Sequence, residues 1–251
     1  MVNKTPRTLL LCSALACVFW AQSAHALRPY DGTDASVTEP GVFELEFSPI
    51  GQVRNGHQRT LVAPFVVANL GLDNDTEVVL EGKVFRQQGA EPEGYRTSMG
   101  DTTLSLKHLF RHGSMQEEGT GVSIAAECGI LLPEIHDAKG TGAVCSGIAS
   151  QRFALATFHL NAGLSWTRAH TQGRILGLIV EGPGDATVRP VMEVLTEHES
   201  AGAHTDSALV GLIWKHAEDL VFDIGVRKAR TDGQALTELR AGLTWSFAWH
   251  K

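Results

Sequence analysis

The chain has 251 residues, 43% of them hydrophobic and 20% charged, with a formal net charge of −7. An acidic balance speaks against a nucleic-acid binder, which carries a basic face, and a mean hydropathy of −0.03 speaks against a polytopic helical membrane protein. The 26 glycines favour many turns over continuous helix.

Lys4 and Arg7 open the chain as a positive region, Leu9 to Trp20 is uncharged and mostly apolar, and Ala24-His25-Ala26 places small residues where a signal peptidase reads them. A cleaved secretory signal over 1–26 is the expectation; a lipoprotein signal ending at Cys17 is the competing reading. The apolar run is too short to cross a bilayer as a helix, which takes about 20 residues. Removing Lys4 and Arg7 leaves 19 basic residues against 28 acidic ones, and Cys128 and Cys145 then remain in an oxidising compartment.

The mature chain shows no sustained helical period. Apolar and polar residues alternate instead, the pattern of strands with one buried face. The segments, in chain order, are 43–48, 61–69, 76–85, 103–108, 122–130, 142–151, 153–166, 172–181, 187–196, 206–216, 219–228 and 238–247. The clearest is Phe153 to Trp166, where Phe158, Leu160, Ala162, Leu164 and Trp166 share one face and Thr157, His159, Asn161, Gly163 and Ser165 the other. Leu239, Ala241, Leu243, Trp245 and Phe247 repeat the pattern near the C-terminus.

Alternation fits a soluble sandwich or a transmembrane barrel. Strands of about ten residues match a tilted bilayer crossing. Connections expected to be long at 49–59, 87–100 and 132–141, and short at 70–75, 150–153 and 216–219, match external loops and periplasmic turns. Trp166, Trp214, Trp245 and Trp249 fall near strand ends, as in an interfacial girdle. The fold expected is therefore all-β, an antiparallel transmembrane β-barrel of about 12 strands. It places a signal peptide at 1–26, an N-terminal segment at 27–40 and the barrel at 41–251. The segment 27–40 is too short for a plug domain; it either tucks into the lumen or stays as a periplasmic tail.

Several stretches are also similar, in order, to a known family. Arg28-Pro29-Tyr30-Asp31-Gly32-Thr33-Asp34-Ala35, Gly41 to Glu46, Gly100 to Lys107, Leu131-Leu132-Pro133, His159 to Gly163, Met192-Glu193-Val194 and Gly242 to Phe247 resemble the outer-membrane family linked to the meta-pathway of phenol degradation. The resemblance implies an outer-membrane barrel with a transport role for aromatic or other hydrophobic compounds, and defines no site residues. Two features depart from the family: the paired acidic residues near the N-terminus are split as Thr33-Asp34, and the chain runs past Phe247 through Ala248-Trp249-His250-Lys251.

Apolar stripes facing lipid leave the polar faces to line a lumen. The lining candidates are Glu44, Glu46, Glu77, Glu81, Lys83, Lys107, Glu127, His159, Asn161, Glu193, Lys215, Asp223, Arg227, Glu238 and Arg240. They form either a salt-bridge network that fills the barrel or a conduit with a charged constriction. Because closure pairs the first strand with the last, Glu44, Glu46 and Arg240 are expected to pair across the seam. Cys128 and Cys145 flank the loop 133–142 symmetrically. A disulfide is expected there, with a reduced packing pair and a metal pair as alternatives.

Asp73-Asn74-Asp75-Thr76-Glu77 lacks the glycine and distal Glu of a calcium loop and reads as an Asx turn. The histidines show no metal-ligand spacing. Ser165 shares a face with His159 but lies about 20 Å along the strand, leaving only a serine on a neighbouring strand for a hydrolytic pair. Gly182-Pro183-Gly184-Asp185 is a turn without a following helix, so no nucleotide is implied. The expectation is an exported Gram-negative outer-membrane channel for passive passage of small molecules, with no catalytic residue, metal or cofactor. Its partners are outer-membrane lipid, a small-molecule solute and the barrel-assembly machinery, not nucleic acid. A closed structural barrel and a soluble periplasmic β-protein are the alternatives.

Overall fold

A computed structural model of the chain describes residues 29–56, 58–88, 96–116, 119–200 and 202–248. The expected signal peptide and Trp249 lie outside them. Each alternating segment forms a strand: β1 (Val42–Asn55), β2 (Gln58–Gly71), β3 (Thr76–Gln88), β4 (Thr97–Arg111), β5 (Ser123–Leu131), β6 (Gly142–Arg152), β7 (Thr157–Trp166), β8 (Gln172–Glu181), β9 (Val188–Glu199), β10 (His204–Lys215), β11 (Leu220–Thr231) and β12 (Gln234–Ala248). Neighbours in sequence pair antiparallel, and β12 returns to β1 from Val42↔Ala248 to Asn55↔Leu236, closing a twelve-stranded barrel. Closure leaves no strand edge unpaired, which a strand in hydrocarbon requires.

The end where β1 begins and β12 finishes is the terminal end; the opposite one is the loop end. The long connection expected at 49–59 is not a loop. Pro49 and Gly51 look like turn residues, yet β1 continues to Asn55 through a bulge between Phe47 and Ile50. Pro64 sits in a matching bulge of β2, between Val62 and Phe65. Proline cannot donate to a ladder, and a bulge is where a strand tolerates it. The remaining long loop-end connections separate β3 from β4 (89–96) and β5 from β6 (132–141), but the longest of all, 112–122, joins β4 to β5 at the terminal end.

The period of two divides the wall cleanly. In β7, Leu160 and Leu164 face outward and are 48% and 70% exposed, while His159 and Asn161 face inward and are buried. The outward band of Leu, Ile, Val and Met continues around the barrel, an exposed apolar surface that only lipid would cover. Its aromatic edge is lopsided. Phe43, Trp214, Phe222, Trp245 and Phe247 cluster at the terminal end, whereas Trp166, stacked on His170, stands at the loop end.

Cys128 and Cys145 are directly opposed on β5 and β6, face outward, and are joined by a disulfide.

Candidate functional site

Residues 29–39 run across the lumen in its terminal half before turning into β1. They form no regular element, so every backbone N–H they bury needs a partner from the wall. The wall supplies them. Glu193 accepts the N–H groups of Asp31 (3.0 Å) and Gly32 (2.7 Å) on its carboxylate. Asn161 grips Thr33 at both ends, accepting its N–H at 3.1 Å and donating to its carbonyl at 2.9 Å. Ser150 Oγ accepts from Ala35 N–H and Glu77 Oε2 from Thr38 N–H. Hydrogen bonds to charged acceptors contribute about 1.5–3 kcal/mol each, which makes the carboxylate contacts the strongest points of this strap.

Apolar contacts seat it as well. Tyr30 packs with Ile179, Val191, Leu209, Ile213 and Val221, and Ala35 with Leu109, Ala125 and Ile148. Pro29 lies over Gly211 and Gly225, which are cross-strand partners. A Cβ on Gly225 would come within 2.9 Å of the Pro29 ring, so the absence of a side chain there makes the trough. The long 112–122 connection folds in from below: Gln116 Nε2 donates to Ala35 O, and Met115 is buried.

The charges expected in the lumen are organised around this strap. Arg240 donates to Pro29 O (2.8 Å), Asp31 Oδ1 (2.7 Å) and Glu238 Oε2 (2.8 Å), and Arg227 pairs with Asp31 Oδ2 at 2.7 Å. Burial pushes the Asp31 carboxyl up, but Arg240, then Arg227 and Lys83, overcome it and hold it at about 2. Lys107, almost wholly buried, lies 3.2 Å from Glu77 and 3.7 Å from Asp34 and donates to Thr33 Oγ1.

No pair forms across the seam between Arg240 and Glu44 or Glu46. Register is the reason: Arg240 stands opposite Gly51, while Glu44 and Glu46 stand opposite Ser246 and Thr244. Glu44 accepts from Ser246 and Glu46 from Asn69. The partner of Arg240 comes from the strap instead.

Above the strap, toward the loop end, is a cavity of about 580 Å³. Of the residues expected to line a lumen, Glu46, Glu77, Glu81, Lys83, Lys107, Glu127, Asn161, Arg227, Glu238 and Arg240 border it; Glu44, His159, Glu193 and Asp223 face inward but are buried and do not, and Lys215 pairs with Glu218 at the terminal end instead. Its walls differ in character. β1 to β3 contribute Val53, Val62, Phe65, Val67, Val79 and Phe85, and the strands that follow on from β1 at the closure contribute charges, with Glu238, opposite Val53, and Arg240 on β12, Arg227 on β11 and Glu197 on β9. Lys83 brings a cation into the apolar side, pairing with Asp101 (3.0 Å) and Glu81 (3.7 Å) while its ammonium sits 4.5 Å from the centre of the Phe65 ring.

Near the loop end Arg168 ties the β7–β8 and β5–β6 connections to β4. It donates to Leu132 O and Thr102 O and pairs with Glu134, which also accepts the Asp101 N–H. Neither this clamp nor the strap carries a motif; both rest on backbone acceptors and long-range partners that no local pattern announces.

A serine on a neighbouring strand does reach His159. Ser150 Oγ lies 2.9 Å from His159 Nδ1, and Nε2 is 3.5 Å from Glu181, without hydrogen-bond geometry. Ser150 is wholly buried and its oxygen already accepts from Ala35, so no substrate reaches it. The trio anchors the strap. Among the described residues no cluster of His, Cys, Asp or Glu is arranged to hold a metal ion. At the β2–β3 turn Asp73 Oδ1 accepts the Asp75 N–H, an Asx turn.

No family model matches the chain, the phenol-pathway family included, and no curated protein matches it in sequence. Among solved structures it is similar to an outer-membrane channel from Pseudomonas putida F1, with a TM-score of 0.58 and 10% identity over 87% of this chain and 100% of that one. It is also similar to the KdgM porin in complex with disordered oligogalacturonate, with a TM-score of 0.52 and 12% identity over 81% of this chain and 99% of that one. The shared feature is the fold: a closed antiparallel barrel of the kind that outer-membrane channels use.

Proposed function

We propose that this chain is an outer-membrane channel for the passive passage of small molecules, with the strap as the floor that limits its conductance. The observation that carries the reading is the cavity of about 580 Å³ inside a closed wall, bordered by charges and floored by Tyr30 to Thr33. A barrel held together only by its own packing has no need of such a space. The apolar outer band calls for lipid around it, which argues against the soluble alternative. Export by the signal at 1–26, assembly by the barrel-assembly machinery and an outward-facing loop end complete the reading.

The phenol-pathway resemblance points to aromatic solutes, and the cavity supports it in a qualified form. Val and Phe side chains on β1 to β3 stand beside charged groups on β11 and β12, so a small ring bearing a polar or ionised group matches the lining better than a bare hydrocarbon. No chemical step is assigned. The closed-barrel alternative draws support from the strap itself, which crosses the lumen.

Single-channel recording in planar bilayers tests this. Discrete conductance steps from the refolded mature chain, and faster liposome swelling with benzoate or phenol than with a disaccharide, are the expected results. A silent bilayer with both the full chain and a variant lacking residues 27–38 would leave the closed barrel as the answer.

A further inference from the structure

The outward face should be apolar, yet at the loop end cations sit on it, five of them on the β11–β3 side. Lys228 on β11, Arg54 on β1 and Arg59 on β2 lie in a single row, with Thr237 of β12 between the first two, by the pairings Lys228↔Thr237, Arg54↔Thr237 and Arg54↔Arg59. Arg230 stands one step above the row and Arg86, opposite Leu61, one step below. All five are exposed, and none forms an ion pair among the described residues. Their faces follow from their neighbours: Val53, Phe85, Arg227 and Glu238 border the cavity, so the residues beside them in each strand point out.

Two features make this more than a solvated rim. Arg54 and Arg59 are directly opposed across a ladder, an arrangement that is unfavourable unless an anion lies between them. The row also sits at the edge of the apolar band: one step toward the terminal end, Leu239 and Val226 are exposed on the same face. Long cationic side chains at that height reach the headgroup layer while their stems stay in hydrocarbon. The terminal end offers aromatic residues in the corresponding position, so the two edges present different chemistry.

We propose that the row Lys228–Arg54–Arg59, with Arg86 and Arg230, is a binding site for the phosphate headgroup of an outer-leaflet glycolipid packed against the β11–β3 side of the wall. Guanidinium groups match phosphate in pairs, and three cations over four adjacent strands span roughly 14 Å at 4.8 Å per strand, wide enough for a disaccharide headgroup. The site rests on the membrane-spanning reading but not on conduction.

Native mass spectrometry of the detergent-folded barrel, titrated with bisphosphorylated lipid A, tests it. Retention is expected to be strong for the phosphorylated lipid and weak for its dephosphorylated form, and millimolar inorganic phosphate is expected to leave it unchanged. At roughly fivefold per cation, Arg54→Gln with Arg59→Gln weakens retention roughly thirtyfold. Arg174→Gln, on the outward face of β8 away from the row, leaves retention as it was. Lys228→Gln alone gives a smaller loss and serves if the double variant does not show the heat-modifiable gel migration of a folded barrel. Equal retention by folded wild type and double variant overturns the site; displacement by inorganic phosphate overturns the lipid as its ligand. Conductance, measured separately, reports on the channel reading and not on this one.

Discussion

Arg240 and Asp31 are 209 residues apart in sequence and 2.7 Å apart in the lumen, and this pair joins the last strand to the strap. Arg227 takes the other oxygen of the same carboxylate. Breaking a buried pair by removing one partner leaves an uncompensated charge and costs more than the pair itself contributes. In Asp31→Asn two guanidinium groups beside the cavity are left to share Glu238 as their counter-charge. Single-channel recording should show at least a twofold larger conductance, with reversal potentials in a salt gradient moved toward anion preference. Unchanged conductance and selectivity would show that the strap does not limit the path.

The same carboxylate gives the channel a dependence on pH. With its ordinary value near 4 lowered to about 2, Asp31 stabilises the docked strap fully above pH 4, and that contribution is lost as pH falls toward 2. Conductance is therefore expected to be flat from pH 8 to about 5 and to rise below pH 4. Asp31→Asn should remove this step, and a wild-type step centred near neutrality would assign the gating to another group.

Gly225 offers a steric test that leaves every charge in place. The nearest atoms to an added Cβ belong to Pro29, at 2.9 and 3.0 Å, and the next, Leu209 Cδ2, is at 3.6 Å. Gly225→Val should thus lift Pro29 from its trough while β11 keeps its pairing. The expected result is a barrel with unaltered heat-modifiable migration, faster proteolysis near residue 29 and raised conductance. Gly211 is less suited, because its Cβ would meet the Ile224 carbonyl at 2.5 Å and disturb the wall itself.

The wall was legible in the sequence because a strand between lipid and lumen must alternate, and residues such as Leu160 and Asn161 are sorted by that requirement alone. Turn chemistry misled at Pro49, where a bulge absorbs a residue that normally ends a strand. The inward side of Arg240 was legible but its partner was not, since register decides which inward groups meet and the strap enters from outside the ladder. The strap itself was invisible for a physical reason. Tyr30 to Thr38 has no period, and its bonds run from backbone N–H groups to Glu193, Asn161, Ser150 and Glu77, more than 35 residues away in each case. The 112–122 connection was equally silent, because its length makes sense only once Gln116 is seen bonded to Ala35 O.

The disulfide separates stability from passage. Cys128 and Cys145 face outward, so they touch neither strap nor cavity, and they staple the β5–β6 hairpin across a sequence separation of 17. Closing a loop of that size contributes about 3 kcal/mol in the chain-entropy model. Cys128→Ser with Cys145→Ser should therefore lower the temperature at which the folded gel band converts to the unfolded one, by several degrees, and leave single-channel conductance as it was. Free-thiol labelling of the unreduced wild type should give no signal. A conductance change in the double variant would mean that the hairpin wall shapes the lumen more than its outward cysteines imply.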